Sequence, residues 1–204
     1  MNQKRDSITN PTVSYEQQLW QMFQQGDEKA LSSIYSIYFD QLYNYGSRFT
    51  KNNALVEDCI QELFIKLIRN KLNLALPDSV KNYLFKALRS IIFDHLERLN
   101  KYPPAEINDA VEFELETRVE DRISPREEEA ARSEKLTAAL RQLTPRQREA
   151  IFLRYHEGLS YPEIAEMLEL SQKAAYKLIG RAIQALRSIG LTIVVAQALN
   201  HFNI

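Results

Sequence analysis

Apolar residues recur every three or four positions along most of the chain, which is the spacing of an α-helix with one buried face. Asp27 can cap a first such segment, a second spans residues 53–70, and Ser79 opens a third that ends before Pro103. No convincing pair of strands appears, so the fold class is predicted to be all-α. The first segment is predicted to bury Leu31, Ile34, Tyr35, Tyr38, Leu42 and Tyr45, and the second to bury Val56, Ile60, Leu63, Phe64 and Leu67.

The second half of the chain is marked by helix-start signals. Ser124, Thr144 and Ser160 each stand three residues before a Glu or Gln, with a proline in the first turn. A short helix from Ser160 to Leu168, a turn and a further helix starting at Ser171 predict a helix-turn-helix. Such turns commonly have glycine where this chain has Glu169, and positive φ costs another residue about 1 kcal/mol. The sequence therefore leaves a differently shaped turn open.

Residues 104–123 are acidic, weakly periodic and bounded by prolines, which is typical of a linker. The predicted organisation is two small helical domains joined by that linker, the C-terminal one a helix-turn-helix. The N-terminal domain spans 1–103, the linker 104–123 and the C-terminal domain 124–190. An apolar tail, 191–204, has no assigned role, and could fold back onto a domain or cover a face until a partner displaces it.

Cysteine content and hydropathy point to one compartment. Cys59 is the single cysteine, so no internal disulfide can form, and a reducing cytoplasm is expected. No apolar run follows the basic N-terminus, so a secretory signal is not expected. The longest apolar stretch, 193–196, is too short for a bilayer, and no membrane association is predicted. Without a resolving partner, Cys59 is predicted to be an inert, buried or half-buried thiol rather than a redox sensor.

The formal net charge of −1 conceals an uneven distribution. Residues 1–102 carry a net +2, residues 103–123 a net −5 and residues 124–204 a net +2. Because phosphate contacts supply most non-specific affinity for DNA, this balance argues against tight DNA binding by the free chain.

The final helix carries the residues suited to reading DNA. In a helix-turn-helix the second helix enters the major groove, where Gln and Lys read base edges and Lys and Arg hold phosphates. The alternative is a solvated charged face that touches nothing. The candidates are Ser171, Gln172, Lys173, Tyr176, Lys177 and Arg181, with Arg146 and Arg148 as further phosphate contacts.

Residues 58–69 contain the string Asp-x-x-Gln-Glu-x-Phe-x-x-Leu. This string resembles the segment by which bacterial RNA polymerase sigma factors of the extracytoplasmic-function group dock on the clamp helices of the largest polymerase subunit. The resemblance implies core RNA polymerase and promoter DNA as partners, and control by an anti-sigma factor. Phe64 is as readily core as contact. The implied docking residues are Asp58, Gln61, Glu62 and Phe64, with Ile65 and Ile68 as apolar anchors.

Residues 80–101 resemble the sigma-factor helix that reads and melts the −10 element. Aromatic side chains there can stack on unpaired bases while cations follow the strand. The sequence departs from the family at Ser90, usually Asn, and at 97–101, usually richer in Arg. Phe85 is equally readily a core residue. The implied contacts are Lys81, Tyr83, Phe85, Lys86, Arg89, Ser90, Arg98 and Lys101.

Residues 143–166 are similar to the −35-reading domain of sigma factors, and almost as similar to the DNA-binding domain of quorum-sensing-type response regulators. The alternative function is therefore a stand-alone helix-turn-helix regulator that binds an operator, and a third is an inactive sigma-like decoy. The three histidines are scattered and no phosphate-binding glycine loop is present. The chain is predicted to be no enzyme and to need no metal or cofactor.

Overall fold

The computed structural model describes residues 13–99, 111–115 and 138–188. Within these ranges the regular elements are helices, as the all-α prediction requires. They are α1 (Tyr15–Gln24), α2 (Glu28–Gly46), α3 (Asn53–Asn70) with a 3₁₀ turn (Lys71–Asn73), α4 (Val80–Arg98), α5 (Pro145–Ile151) with a π-helical stretch (Phe152–His156), α6 (Tyr161–Met167) and α7 (Gln172–Ser188).

Side-chain caps set the starts of the N-terminal helices. The Asp27 carboxylate accepts from the second and third N–H groups of α2, and Ser79 accepts from Asn82 at the start of α4. Both predicted starts are confirmed. Helix α1 was not predicted, although Ser14 and Gln17 form the reciprocal capping box that marks its start.

Helices α2, α3 and α4 pack around one apolar core. The five α3 residues predicted to face inward are all buried. On α2 one expectation was wrong: Tyr35 is 36% exposed, because it lies at the edge of the buried stripe and packs on Phe39 and Phe64 at the surface. Gly46 lets α2 and α3 approach, since a Cβ there would lie 2.7 Å from Val56 Cγ1.

The C-terminal half forms the predicted helix-turn-helix. Thr144 and Ser160 cap α5 and α6 in capping boxes, as predicted. Glu169 has a φ of 54°, the left-handed conformation that glycine usually supplies, so the turn keeps its shape despite the substitution. The predicted Ser124 box, Lys101 and the apolar tail 191–204 lie outside the described residues.

Part of the acidic linker is packed rather than solvated. Val111 and Phe113 are buried, and the Glu114 N–H donates to the Arg48 carbonyl at 2.8 Å. Phe113 lies 6.0 Å from the Tyr45 ring and 5.6 Å from the Phe152 ring, so it contacts both halves of the chain. The alternating apolar residues at 111, 113 and 115 were the available signal.

Candidate polymerase-docking and DNA-binding faces

One face of α3 is exposed and carries most of the predicted docking residues. Asp58 and Gln61 are exposed, Ile65 is 44% exposed and Ile68 is 52% exposed. Polar groups beside large apolar side chains on a helix face are typical of a protein-binding surface. The structure therefore brings these four residues together on one helix face.

The two other predicted docking residues are less accessible. Phe64 is 6% exposed and lies under Tyr35, with ring centres 4.9 Å apart. Glu62 is half-buried, and its carboxylate contacts His95 Nε2 and Lys66 Nζ, each at 2.8 Å. The hydrogen bonds from His95 and then Lys66 lower the pKa of Glu62 to about 2. Glu62 is thus held in one position, as an anion.

Leu72 extends this face beyond the end of α3 and was missed by the sequence reasoning. It lies in the 3₁₀ turn, is 84% exposed, and continues the spacing of Ile65 and Ile68. An apolar residue that follows Arg69, Asn70 and Lys71 was the only signal. On the inner side of the same helix, Cys59 is fully buried, and burial raises the pKa of its thiol to about 11, as expected of an inert cysteine.

Three of the predicted DNA-binding cations, Lys81, Lys86 and Arg89, contact the C-terminal half of the chain. Arg89 is 5% exposed, and its Nε donates to Glu149 Oε1 at 2.8 Å. The Tyr45 hydroxyl donates to the same carboxylate oxygen at 2.6 Å. Burial, and then the Glu149 carboxylate, raise the pKa of Tyr45 well above its usual value, so the hydroxyl remains a donor.

Two more pairs join the halves on the same side. Lys81 Nζ lies 2.7 Å from the buried Glu157 carboxylate, and Lys86 Nζ lies 2.8 Å from Glu166. Burial works to raise the pKa of Glu157, but hydrogen bonds from His156 and Lys81 outweigh it, and the pKa is lowered. We call Glu149, Glu157 and Glu166 the acidic clasp. None of the three was named from the sequence, because each is 60 or more residues from its partner.

The remaining α4 candidates have varied surroundings. Tyr83 is half-buried and packs edge-on against Trp20 at 5.1 Å, whereas Phe85 is fully buried against Tyr45. Ser90 and Arg98 are exposed. A groove of about 850 Å³ between α4 and α6 is lined by Asn82, Tyr83, Lys86, Ser90, Ser160, Glu163 and Glu166, among others.

The recognition helix α7 keeps its predicted face open. Ser171 caps it through the Ala174 N–H, and the five other α7 candidates are exposed. The two arginines of α5 point inward instead. Arg146 donates to the Leu168 carbonyl at 2.6 Å, and Arg148 donates to the Phe113 and Leu143 carbonyls and pairs with Glu112. Both arginines therefore make hydrogen bonds within the protein in this structure.

Two further observations concern the described ranges. None of the helices there is long and apolar enough to cross a membrane. In the same ranges, no three His, Cys, Asp or Glu side chains converge so as to hold a metal ion.

Comparison with known protein families matches both halves of the chain. The family described as Sigma-70 region 2 matches residues 34–102, which hold α3 and α4. The family described as Sigma-70, region 4 matches residues 133–186, which hold the helix-turn-helix. The two regions in this order define the class, an RNA polymerase sigma factor.

The chain is similar to named members of that class along most of its length. It is 28% identical to the RNA polymerase sigma-H factor of Pseudomonas aeruginosa, over 86% of this chain and 93% of the relative. It is also 28% identical to the ECF RNA polymerase sigma-E factor of Haemophilus influenzae, over 76% of this chain and 84% of the relative. The chain belongs to the extracytoplasmic-function group of RNA polymerase sigma factors.

Two solved structures share the fold. CnrH, in complex with the cytosolic domain of CnrY, has a TM-score of 0.58 at 21% identity, covering 85% of this chain and 96% of that one. The Bartonella quintana sigma factor RpoE, in complex with the anti-sigma factor NepR, has a TM-score of 0.56 at 19% identity, covering 79% and 96%. At these identities the likeness concerns the fold alone.

Proposed function

We propose that this sigma factor directs promoter-specific transcription initiation by docking on core RNA polymerase through the exposed face of α3. The observation that carries the proposal is the combination of Asp58 and Gln61 with exposed Ile65 and Ile68 on one helix face, inside the region 2 match. The carboxylate and amide offer specific polar contacts, and the isoleucines offer apolar area to bury. Glu62, fixed by His95 and Lys66, completes the polar row, and Leu72 lengthens the apolar one.

The two DNA-reading roles belong to different domains. Helix α7 carries Gln172, Lys173 and Lys177 on an open face, which suits it to the major groove of a −35 element. Helix α4 carries half-buried Tyr83 and several cationic residues, which suit it to the −10 strand, whereas Phe85 belongs to the core. We assign residues 1–103 to docking and −10 recognition, 104–123 to the linker, and 124–190 to −35 recognition. The tail 191–204 keeps no assigned role.

The acidic clasp bears on how these roles are exercised. Lys81 and Arg89 pair with buried clasp carboxylates, so α4 can offer these two to DNA only after the domains separate, whereas Lys86 pairs with Glu166 at the surface. Core polymerase would hold the separated form. We further propose that an anti-sigma factor controls the chain, as the solved complex of RpoE with the anti-sigma factor NepR suggests. The protein would act in the cytoplasm, as a non-enzymatic subunit without cofactor.

The experiment is co-elution of the full chain with bacterial core RNA polymerase on a sizing column. Wild type should co-elute, and an Asp58→Ala/Gln61→Ala variant should not. A Gln21→Ala/Asp40→Ala variant, which removes the same groups from exposed positions on α1 and α2, is the matched control and should bind as wild type does. Equal binding by all three would overturn the docking assignment, and wild type that never binds would overturn the proposed function. A stand-alone regulator is not favoured, because the match to Sigma-70 region 2 over residues 34–102 is not expected in a protein of that class.

A further inference from the structure

Three side chains from three elements form a ladder beside the recognition helix. The rings of Tyr161 and Tyr176 lie 3.9 Å apart between centres, at an angle of 15°. The Arg154 guanidinium carbon lies 4.9 Å from the centre of the Tyr161 ring. Because Tyr176 covers one face of that ring, the guanidinium has room only on the other. We call Arg154, Tyr161 and Tyr176 the Arg-Tyr ladder.

The lower members of the ladder are firmly held. Tyr161 is the first residue of α6, between the capping residue Ser160 and Pro162, so its backbone is fixed. Arg154 Nη1 donates to the Leu159 carbonyl at 2.9 Å, which fixes the guanidinium against the loop before α6. Tyr176 packs on the ring of Tyr161, which is itself backed by Arg154.

Tyr176 is the exposed end of the ladder. It is 54% exposed and lies one turn beyond Gln172 and Lys173, on the face proposed to enter the major groove. An exposed tyrosine would normally sample several χ1 rotamers, but parallel stacking at 3.9 Å selects one of them. Its ring edge and hydroxyl are therefore presented to DNA in a single position.

We propose that Tyr176 is a specificity-determining residue that reads a thymine methyl group in the −35 major groove, and that Tyr161 is the residue that positions it. The proposal rests on the proposed function and adds one base contact to it. An aromatic edge suits the thymine C5-methyl group, which distinguishes a T·A pair from the other three pairs. Lys173, Lys177 and Arg181 supply phosphate contacts and need no ladder to do so.

A purely structural role for the pair predicts something different. If Tyr161 only held α6 against α7, its removal would lower stability and weaken binding to every DNA sequence alike. If it positions Tyr176, its removal lowers the preference for the selected sequence and leaves non-specific binding unchanged. Tyr161 and Tyr176 would then act as one unit, so removing both would cost no more preference than removing either.

The experiment selects duplexes from a pool randomised over about two helical turns, with the full wild-type chain bound to core RNA polymerase as bait, because the charge balance argues against tight DNA binding by the free chain. The preference is the ratio of Kd for a scrambled duplex to Kd for the selected one, at fixed salt. It is measured for wild type, Tyr161→Ala, Tyr161→Phe, Tyr176→Ala and the double alanine variant. Tyr15→Ala is the control, because Tyr15 is an exposed tyrosine on α1, 62% exposed against 54% for Tyr176.

We expect Tyr161→Ala and Tyr176→Ala each to reduce the preference about fivefold, and the double variant to match them. Tyr161→Phe keeps the stack and should keep the preference. Replacing the contacted thymine by uracil, which lacks only the methyl group, should weaken wild type and leave Tyr176→Ala unaffected. An unchanged preference in Tyr161→Ala, or additive losses in the double variant, would overturn the inference and leave the proposed function standing. A wild-type chain that selects no sequence would count against the proposed function itself.

Discussion

Removal of the buried Glu149 carboxylate should separate the N-terminal and C-terminal halves of the chain. Glu149 is 2% exposed and accepts hydrogen bonds from Tyr45 at 2.6 Å and Arg89 at 2.8 Å, both from the other half of the chain. A Glu149→Gln substitution keeps the size of the side chain but removes the carboxylate that contacts the buried Arg89 guanidinium directly, while the weaker attraction of Glu169 remains. Breaking a buried ion pair on one side costs about 3–5 kcal/mol.

The size of the effect follows from this free energy. We call the form in which the two halves are packed together closed, and the form in which they are separated open. Destabilising the closed form by about 3 kcal/mol shifts the closed-to-open ratio by roughly 100-fold, since each 1.4 kcal/mol is a factor of ten. The apparent affinity of α4 for DNA scales with the open fraction, up to the point at which the open form dominates. We therefore expect Glu149→Gln to bind a fluorescent single-stranded oligonucleotide at least tenfold more tightly than wild type, with a larger radius of gyration in X-ray scattering.

Two companion variants separate opening from a general change in charge or folding. Glu114→Gln makes the same charge change at an exposed, 3.6 Å pair with Lys51, and should leave both measurements at wild-type values. Tyr45→Phe removes only one hydroxyl and should open the chain less than Glu149→Gln does, because one hydrogen bond contributes about 1 kcal/mol. Wild-type scattering and DNA affinity in both Glu149→Gln and Tyr45→Phe would refute the reasoning.

Two further predictions concern the N-terminal domain. The pKa of Glu62 in the folded chain is about 2, below its usual 4.5. Its pairing with His95 and Lys66 therefore stabilises the fold fully above pH 4.5, and this contribution is lost as the pH falls toward 2. The urea midpoint of wild type should therefore exceed that of Glu62→Gln at pH 6 and meet it near pH 2; a pH-independent gap would contradict this. Gly46→Ala, which stabilises an ordinary helix, should instead destabilise this one by about 1–3 kcal/mol in urea titrations, because the new methyl meets Val56 and Ile92. The Gly46→Ala/Val56→Ala double variant should lose less stability than the two single losses added together, and strict additivity would show that the clash is elsewhere.

Local signals in the sequence predicted helices α2, α3 and α4 and the helix-turn-helix, but missed α1 and the exposure of Tyr35 and Leu72. Caps at Asp27, Ser79, Thr144 and Ser160 are read within four residues, and the inward stripe of α3 follows from its period alone. The open face of α7 follows in the same way. The resemblance to sigma factors added the class of partner, which periodicity does not carry.

What the sequence could not supply is the contact between the two halves. Arg148 looks like a phosphate contact from the sequence, yet it donates to the Phe113 carbonyl in the linker, 35 residues away. Arg89 looks like a DNA contact, yet in this arrangement it is buried against Glu149, 60 residues later. Such pairs depend on how domains meet, and no local pattern of apolar and polar residues encodes that meeting.

The aromatic cluster between the two halves affects the solubility of the sigma factor when it is not bound to polymerase. Tyr45, Phe113 and Phe152 pack together from α2, from the described part of the linker and from the C-terminal half, and each is at most 3% exposed. Pulled apart, they would leave three large rings facing water at once, a surface prone to self-association. Packing of the two halves against each other therefore protects the free sigma factor from self-association. Separation of the halves costs free energy unless another surface covers the three rings.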